Sequence, residues 1–453
     1  MSDRERADGR QASRPRVAIL LAAGRSERLA QVTGGGSKAL IRLAGVSLVE
    51  RAVRAVLQCG IEEVLVVVGY HAGPVAAVVG SMRGLSTGRV RVVLAEDWEQ
   101  GNGASLAATA ARLAPEGLFV VMTADHVFGE RALETICRSR LPAVLVDPEP
   151  SPGAWAEGTR VHLEQGRATA FGKDLADPAI DCGVFVLSPE IFECQRQAAR
   201  EGDATLAGAV TRYARGMPLR AVPLSDGSWW QDVDTPGDLR ECTHVLRRSL
   251  VKEVDGPVSR YLNRPVSTRL SMWLASARLS PDLLSWIAAI IGLVAAVFLG
   301  LGSGIVGGML AHAASVVDGM DGEAARLQMR ASPPGALLDG MLDRVADVAI
   351  MAGLGAWAVH ASSLSPVVIL ALTVTATFGS VMSMASKDRI TALGLPFANE
   401  RRLSWLLGGR DGRLLFVTIF ALAGLPLLAL AAVTVTSIPT LALRVVAVRR
   451  LAV

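Results

Sequence analysis

The chain reads as an α/β domain joined to an all-α membrane domain of six helices, and three patterns in its 453 residues predict this. Charge is spread evenly through about the first 250 residues and the long apolar runs come later, so the mean hydropathy of +0.38 belongs mainly to the second part. In the first part, short branched apolar runs alternate with helical stretches, which is the pattern of a sheet covered on both faces. In the second part, Asp318, Asp321, Asp339 and Asp343 interrupt sequence otherwise built for a bilayer. The expected organisation is a disordered tail over 1–15, an α/β domain over 16–245, an amphipathic juxtamembrane linker over 246–280 and a membrane domain over 281–453.

The opening MSDRERADGRQASRPR is charged and has no apolar core, so it does not read as a secretory signal peptide. Cys59, Cys137, Cys182, Cys194 and Cys242 fall in the first part without a C-x-x-C pair. That argues against a zinc site or a disulfide framework and for the reducing cytoplasm. A net charge of +4 and a pI near 9.0 do not make a nucleic-acid binder here. No basic patch is interleaved with aromatics, and many arginines flank apolar segments as membrane topology requires.

Val17 to Ala23 is a buried strand by its length and branching, and Gly24-Arg25-Ser26-Glu27-Arg28 follows directly. A strand opening into a glycine turn presents backbone N–H groups to a phosphate. Strands over 63–69, 89–95 and 118–123 alternate with helices over 47–58 and 104–113, and ligands of such sheets sit at the carboxyl ends of strands. There stand Trp98 to Ser105 with Gly101, Asn102 and Gly103, and Met122-Thr123-Ala124-Asp125-His126; far along the chain lies Trp230-Gln231-Asp232-Val233-Asp234-Thr235-Pro236. An aspartate straight after a buried strand is a candidate metal ligand or a helix cap, and Asp234-Thr-Pro could cap a helix beginning near Gly237.

The segment LLAAGRSERL followed by Ser37-Lys38-Ala39-Leu40 resembles the N-terminal signature of the sugar-phosphate nucleotidyltransferases, whose fold is a Rossmann-like mixed sheet. Ser26 stands where that family usually has its second glycine. The resemblance, spanning about 16–245, implies that Ala23, Gly24, Arg25, Arg28 and Lys38 bind a nucleoside triphosphate, with Arg28 and Lys38 neutralising the departing pyrophosphate. It makes Gly101, Asn102 and Gly103 the base-reading segment and Asp125 a metal ligand, with Asp232 or Asp234 as its partner. Glu157 and Lys173 would hold the hydroxyls and phosphate of the acceptor.

The junction SRYLNRPVSTRLSMWLASARLSPD is basic and amphipathic, suited to a membrane interface. Six candidate spans follow, near 283–300, 303–317, 336–358, 365–385, 413–425 and 427–447, the second and fifth short for a bilayer. The turns near 300–304, 359–364 and 425–427 lack Lys and Arg, while the other connections hold Arg326, Arg330, Lys387, Arg389, Arg401, Arg402, Arg410 and Arg413. Positive-inside reasoning then puts those connections, the first domain and both termini in the cytoplasm, with the chain multi-pass in the cell (inner) membrane.

Asp318 and Asp321 stand three apart and Asp339 and Asp343 four apart, so on helices each pair shares a face. Carboxylates at a membrane boundary are expensive, and oxygen-only ligands favour magnesium, or manganese, over zinc. The spacing Asp318-x-x-Asp321-Gly322-x-x-Ala325-Arg326, eight residues, Gly335-x-x-x-Asp339-x-x-x-Asp343 resembles the signature of the CDP-alcohol phosphotransferases at every fixed position, a resemblance spanning about 258–450. Pro281-Asp282 replaces the Pro-Asn usual before the first span. The resemblance implies that Gly322, Ala325 and Arg326 form a CDP pocket, that all four aspartates hold two metal ions, and that Asp343 is also the general base. It also implies a homodimer. Lys387, Arg413 and Arg444 are the cations best placed by sequence for an acceptor phosphate.

The order of the two parts, with GNGAS, DVDTP and SRYLNRPVS, is similar to the family of bifunctional enzymes that join inositol-1-phosphate cytidylyl transfer to di-myo-inositol-phosphate phosphate synthesis. That likeness implies CTP and inositol 1-phosphate as first substrates, CDP-inositol as intermediate, and magnesium at both sites. One rival reading has the membrane part use CDP-diacylglycerol to make a phospholipid, with the α/β domain activating another polyol phosphate. The other is a silent nucleotide-binding membrane scaffold, against which the intact aspartates, Arg28 and Lys38 argue.

Overall fold

The computed structural model describes residues 13–25, 27–82, 89–114, 116–394 and 408–451. The expectations for residues 1–12, Ser26, Arg401 and Arg402 lie outside the described residues. The chain divides into two compact units, Met1–Leu246 and Arg247–Val453.

In the first unit, alternate residues of Val17–Leu21 enter two separate cores, Ala18 and Leu20 on one face and Ile19 and Leu21 on the other. A strand buried on both faces needs an unbroken apolar run, which is why the sequence does not alternate there. The expected strands over 17–23, 63–69, 89–95 and 118–123 are Val17–Leu21, Glu63–Val68, Arg89–Leu94 and Phe119–Thr123, and they run parallel. Ile180–Leu187 then pairs antiparallel with Phe119–Thr123 and with Ala143–Asp147. Arg220–Pro223, Arg167–Gly172 and Arg160–Glu164 complete a nine-stranded mixed sheet among the described residues.

Helix Leu48–Gln58 starts where expected because Ser47 and Glu50 cap it reciprocally. Ser47 Oγ accepts from the Glu50 N–H at 3.3 Å, and Glu50 Oε2 accepts from the Ser47 N–H at 2.9 Å. The helix expected over 104–113 is instead helix Asn102–Ala107 and a separate tight turn, Ala110–Arg112. Buried Thr109 donates both its N–H (3.0 Å) and its hydroxyl (2.7 Å) to the Leu106 carbonyl, an i to i−3 pattern that tightens the chain and ends the helix.

The second unit is helical. Helices Pro281–Gly300, Gly304–Leu327, Pro333–Ala361, Pro366–Ala392, Arg410–Leu422 and Pro426–Leu451 fall on the six candidate spans. Among the described residues, three segments, Pro281–Gly300, Pro366–Ala392 and Pro426–Arg449, are long and apolar enough to cross a membrane. Small residues bring the backbones together, as in membrane bundles. A Cβ on Gly353 would stand 2.3 Å from the Ala296 carbonyl oxygen. Two expectations shift. Helix Gly304–Leu327 runs well past the apolar stretch and carries Asp318 and Asp321 with it, and Arg410 and Arg413 belong to a helix, Arg413 buried and Arg410 half-buried against carboxylates, not in a solvated connection. The junction helix Arg264–Ser276 buries its small polar side, Ser267, Thr268, Ser271 and Ala275, and turns Val266, Leu270 and Trp273 outward.

Two candidate active sites

The first site forms because distant strands pair. Phe119–Thr123 ends and Asp125 follows it; His126–Phe128 then pairs antiparallel with Trp230–Asp232, setting His126 opposite Asp232. Ligand atoms of Asp125, His126 and Asp232 consequently lie within 4.8 Å of one another. His126 Nδ1 is 2.8 Å from Asp125 Oδ1 and 2.6 Å from Thr123 Oγ1, and its ring stacks on Trp230 at 5.3 Å. Gly183, with φ of +71°, makes room: a Cβ there would meet Thr123 Oγ1 at 2.6 Å and His126 Nε2 at 3.0 Å.

Lys38 pairs with Asp125, and with Asp234 at 2.5 Å, while Arg28 donates to Glu157 at 2.7 Å and to Asp234 at 2.9 Å. Burial opposes charge on Lys38, but Asp125 and Asp234 outweigh it and hold the ammonium above its usual range. Burial likewise opposes the Asp125 carboxylate, and Lys38 and His126 keep it well below the usual carboxylate range. Burial lowers His126, yet the Asp232 and Asp125 charges carry it to about 9. Burial pushes Asp232 up to about 6 against the pull of His126, and pushes Asp181 up to about 6 as well.

These groups line a cleft of about 1750 Å³ together with Gly24, Arg25, Gly101, Asn102, Glu157 and Lys173. Gly101, at φ of +115°, occupies backbone space closed to other residues. Two residues expected at the nucleotide have other surroundings. Ala23 is buried in the core, and a Cβ on Gly103 would stand 2.4 Å from the Ala204 carbonyl, so that glycine serves close packing of its helix.

The second site lies among the helices of the other unit. Asp318 and Asp321 share a face of Gly304–Leu327, and Asp339 from Pro333–Ala361 joins them, with carboxylate oxygens within 4.8 Å. Ser285 donates to Asp321 Oδ2. Asp343 meets Arg410, whose Nη1 is 2.9 Å from Asp343 Oδ1 and 2.8 Å from Asp318 Oδ2. Gly322, Ala325 and Arg326 are half-buried on the Asp321 helix, where Arg326 donates to the Leu250 carbonyl at 3.4 Å. Buried Arg413 and Arg444 converge on Ser383 Oγ, at 3.5 Å and 3.0 Å, and Nε and Nη2 of Arg413 have no hydrogen-bond partner. Lys387, one turn beyond Ser383, is exposed.

Residues 18–168 match the family model of the MobA-like NTP transferase domain, and residues 278–442 that of CDP-alcohol phosphatidyltransferase. The bifunctional IPC transferase and DIPP synthase of Rubrobacter xylanophilus is 38% identical over 341 residues, covering 74% of this chain and 76% of that one. Its counterpart in Aquifex aeolicus is 32% identical over 413 residues, covering 90% and 92%. This chain belongs to that bifunctional family. The structure of the inositol-1-phosphate CTP transferase from T. maritima, 22% identical, covers 52% of this chain and 97% of that one with a TM-score of 0.47.

Members of this family join two enzymatic domains, a nucleotidyltransferase and a CDP-alcohol phosphotransferase, both of kinds that generally work with divalent metal ions. The residues present fit such ions. Asp232 Oδ1 and Asp318 Oδ1 are buried without a hydrogen-bond partner, one in each carboxylate group, and an orphaned buried oxygen is costly unless something positive meets it.

Sequence reasoning assigned no role to His126, Trp230, Asp181, Asp347 or Ser383. His126 adjoins a candidate ligand and could have been suspected. Nothing in the local sequence ties Asp347 to Arg410, at 3.0 Å, or Ser383 to two arginines.

Proposed function

We propose that the chain makes CDP-inositol from CTP and inositol 1-phosphate, then transfers phosphoinositol from CDP-inositol to a second inositol phosphate with release of CMP. The observation that carries this reading is the presence of two metal-competent carboxylate groups, one in each unit, in a member of the bifunctional family.

In the first unit, a phosphate oxygen of inositol 1-phosphate attacks the α-phosphorus of CTP and pyrophosphate leaves. Gly24, Arg25, Gly101 and Asn102 line the cleft where the nucleotide would lie, Arg28 and Lys38 balance the leaving charge, and Glu157 and Lys173 suit the inositol end. Asp125 and Asp232 would hold magnesium, with manganese as a substitute, and the ion would draw charge from the α-phosphate. Asp234 already bonds both Arg28 and Lys38, which favours a role in holding those cations.

In the second unit, a hydroxyl of the acceptor attacks the β-phosphorus of CDP-inositol, its proton passes to Asp343, and the bond to the CMP oxygen breaks. Asp318, Asp321 and Asp339, with Asp343 beside them, would hold the ions that neutralise the diphosphate. Gly322, Ala325 and Arg326 leave room for the nucleotide. The unpartnered nitrogens of Arg413, with Arg444 and Ser383, suit the phosphate of a small acceptor, and Lys387 stands at the exposed edge.

Around this chemistry we place the tail at 1–15, the nucleotidyltransferase domain at 16–245, the juxtamembrane linker at 246–280, and six spans in 281–453 of the inner membrane. Both termini are cytoplasmic, and the membrane domain forms a homodimer. The test is to offer the purified full chain each of four nucleoside triphosphates with a panel of polyol phosphates and identify products by mass spectrometry. CTP with inositol 1-phosphate should give CDP-inositol first, then CMP and a diester carrying two inositols. A product bearing diacylglycerol, or no product from CTP, would end the proposal.

A further inference from the structure

Arg410 does something in the second site that neither the signature nor the spacing of the aspartates requires. Its Nη1 bridges two helices at ion-pair distance, 2.8 Å from Asp318 Oδ2 and 2.9 Å from Asp343 Oδ1 without hydrogen-bond geometry to either, while its Nε donates to Asp347 Oδ1 at 3.0 Å. Asp347 is only 2% exposed and is itself fixed by Ser380, whose hydroxyl donates to Oδ2 at 2.9 Å. The guanidinium is thus anchored at one edge on a buried, immobilised carboxylate, and its other edge rests on two residues of the site. Asp318 is divided as a result. Oδ2 faces Arg410, whereas Oδ1 is buried without a hydrogen-bond partner in the residue that joins Asp321 and Asp339 within 4.8 Å.

We propose that Arg410, anchored on Asp347, is a positioning residue for phosphotransfer. It orients Asp343 beside the three-carboxylate cluster and competes with a divalent cation for Asp318. The proposal rests on the phosphotransferase reading above for what Asp343 does, but not for the competition. A fixed guanidinium is suited to the task because its rigid planar fork carries donors on separate nitrogens at set angles, so that Nε can stay on Asp347 while Nη1 faces Asp318 and Asp343, whereas an ammonium is a compact point charge on a flexible stem. A cation entering the cluster must share Asp318 with a positive charge in direct contact with it, so binding is weaker than the carboxylates alone would make it. In return, the fixed charge of Arg410 draws Asp343 Oδ1 to one side, which sets the orientation in which Asp343 accepts a proton. The device gives up cation affinity for a base of fixed orientation.

The two ends of the device predict opposite signs, which a merely structural role would not produce. In the full-length protein, Mn2+ affinity is read by electron paramagnetic resonance, and CMP release from CDP-inositol gives kcat and KM. Arg410→Gln should bind Mn2+ severalfold more tightly while kcat falls by about 100-fold or more, the scale of losing a well-placed base, with KM changed little. Asp347→Asn leaves the guanidinium nothing to share but Asp318 and Asp343, so Mn2+ should bind severalfold more weakly. Arg410→Lys keeps the charge and the wild-type Mn2+ affinity without restoring kcat.

Shifts of Mn2+ affinity in the same direction for Arg410→Gln and Asp347→Asn, or full kcat in Arg410→Lys, would overturn the proposal. If Arg410→Gln does not fold, the other two variants still decide. If the wild type releases no CMP, the phosphotransfer reading fails, and the Mn2+ measurements still test the competition by themselves.

Discussion

The two carboxylate groups in this chain meet the same kind of phosphate chemistry with different charge balances. In the α/β unit, Lys38, Arg28 and His126 stand against Asp125, Asp232, Asp234 and Glu157, and most of these contacts join residues far apart in sequence. In the helical unit, the described ion pairs bring a single guanidinium, Arg410, to Asp318, Asp343 and Asp347, with Asp321 and Asp339 close by. The first site is nearly balanced by its own side chains. The second carries excess negative charge and depends more heavily on a divalent ion.

The largest expected effect attacks that excess. Asp339→Asn and Asp343→Asn each remove one carboxylate, and if these ligate the ion or accept the proton the barrier rises by several kcal/mol, where each ~1.4 kcal/mol is tenfold in rate. Phosphotransfer from supplied CDP-inositol should fall about 1000-fold or further, while CTP-dependent pyrophosphate release stays intact. Of the two, Asp343→Asn should retain the better CDP-inositol binding. Near-normal CMP release at saturating magnesium from either variant would reduce both aspartates to solvated charges at a helix end.

The next effect is the mirror image. Lys38→Ala frees Asp125 and Asp234 from their shared cation, and Asp125→Asn leaves Lys38 and His126 without their closest carboxylate. Either should lower pyrophosphate release by about 100- to 1000-fold, the scale of losing one transition-state charge contact. Phosphotransfer should be unchanged, and loss of both activities in a folded variant would mean that the two sites are not separate.

How far these sites can be read from sequence follows from the same contrast. Asp318, Asp321, Asp339 and Asp343 are legible because helical periodicity fixes which of them share a face, and the helix extends through them. Asp125 is legible as a residue after a buried strand. The choice between Asp232 and Asp234 was not, because it turns on the pairing of His126 with Asp232 across a two-stranded ribbon and on the cations that claim Asp234. Arg410 and Arg413 were misplaced because charge near an apolar run is read as a water-facing flank. Here the buried carboxylate of Asp347 takes Arg410 into the helical unit, and Ser383 takes Arg413. Gly103 reads as a nucleotide contact in the sequence because a glycine-rich turn does not reveal which glycine faces the ligand and which faces a neighbouring backbone.

The smallest expected effect tests whether orientation within the balanced site matters beyond charge. Trp230 stacks on His126 with the rings 4° from parallel, and its Nε1 donates to Asp147 Oδ2 at 2.8 Å. Trp230→Phe keeps an aromatic face against His126 but removes the donor, so it isolates the hydrogen bond from the stack. A hydrogen bond to a charged group contributes about 1.5–3 kcal/mol when well buried, and this one is only half-buried, which places the loss near 1 kcal/mol. If that energy serves to hold the His126 ring beside Asp125 and Asp232, pyrophosphate release should fall by about fivefold. Trp230→Ala, which also removes the stack, should lose a further ~0.5–1.5 kcal/mol. CMP release from CDP-inositol should not change in either variant. Equal losses in Trp230→Phe and Trp230→Ala would mean that the Asp147 contact, and not the ring, orients His126. No loss in either would leave the charges of Lys38, Arg28 and His126 sufficient to hold the first site without help from its walls.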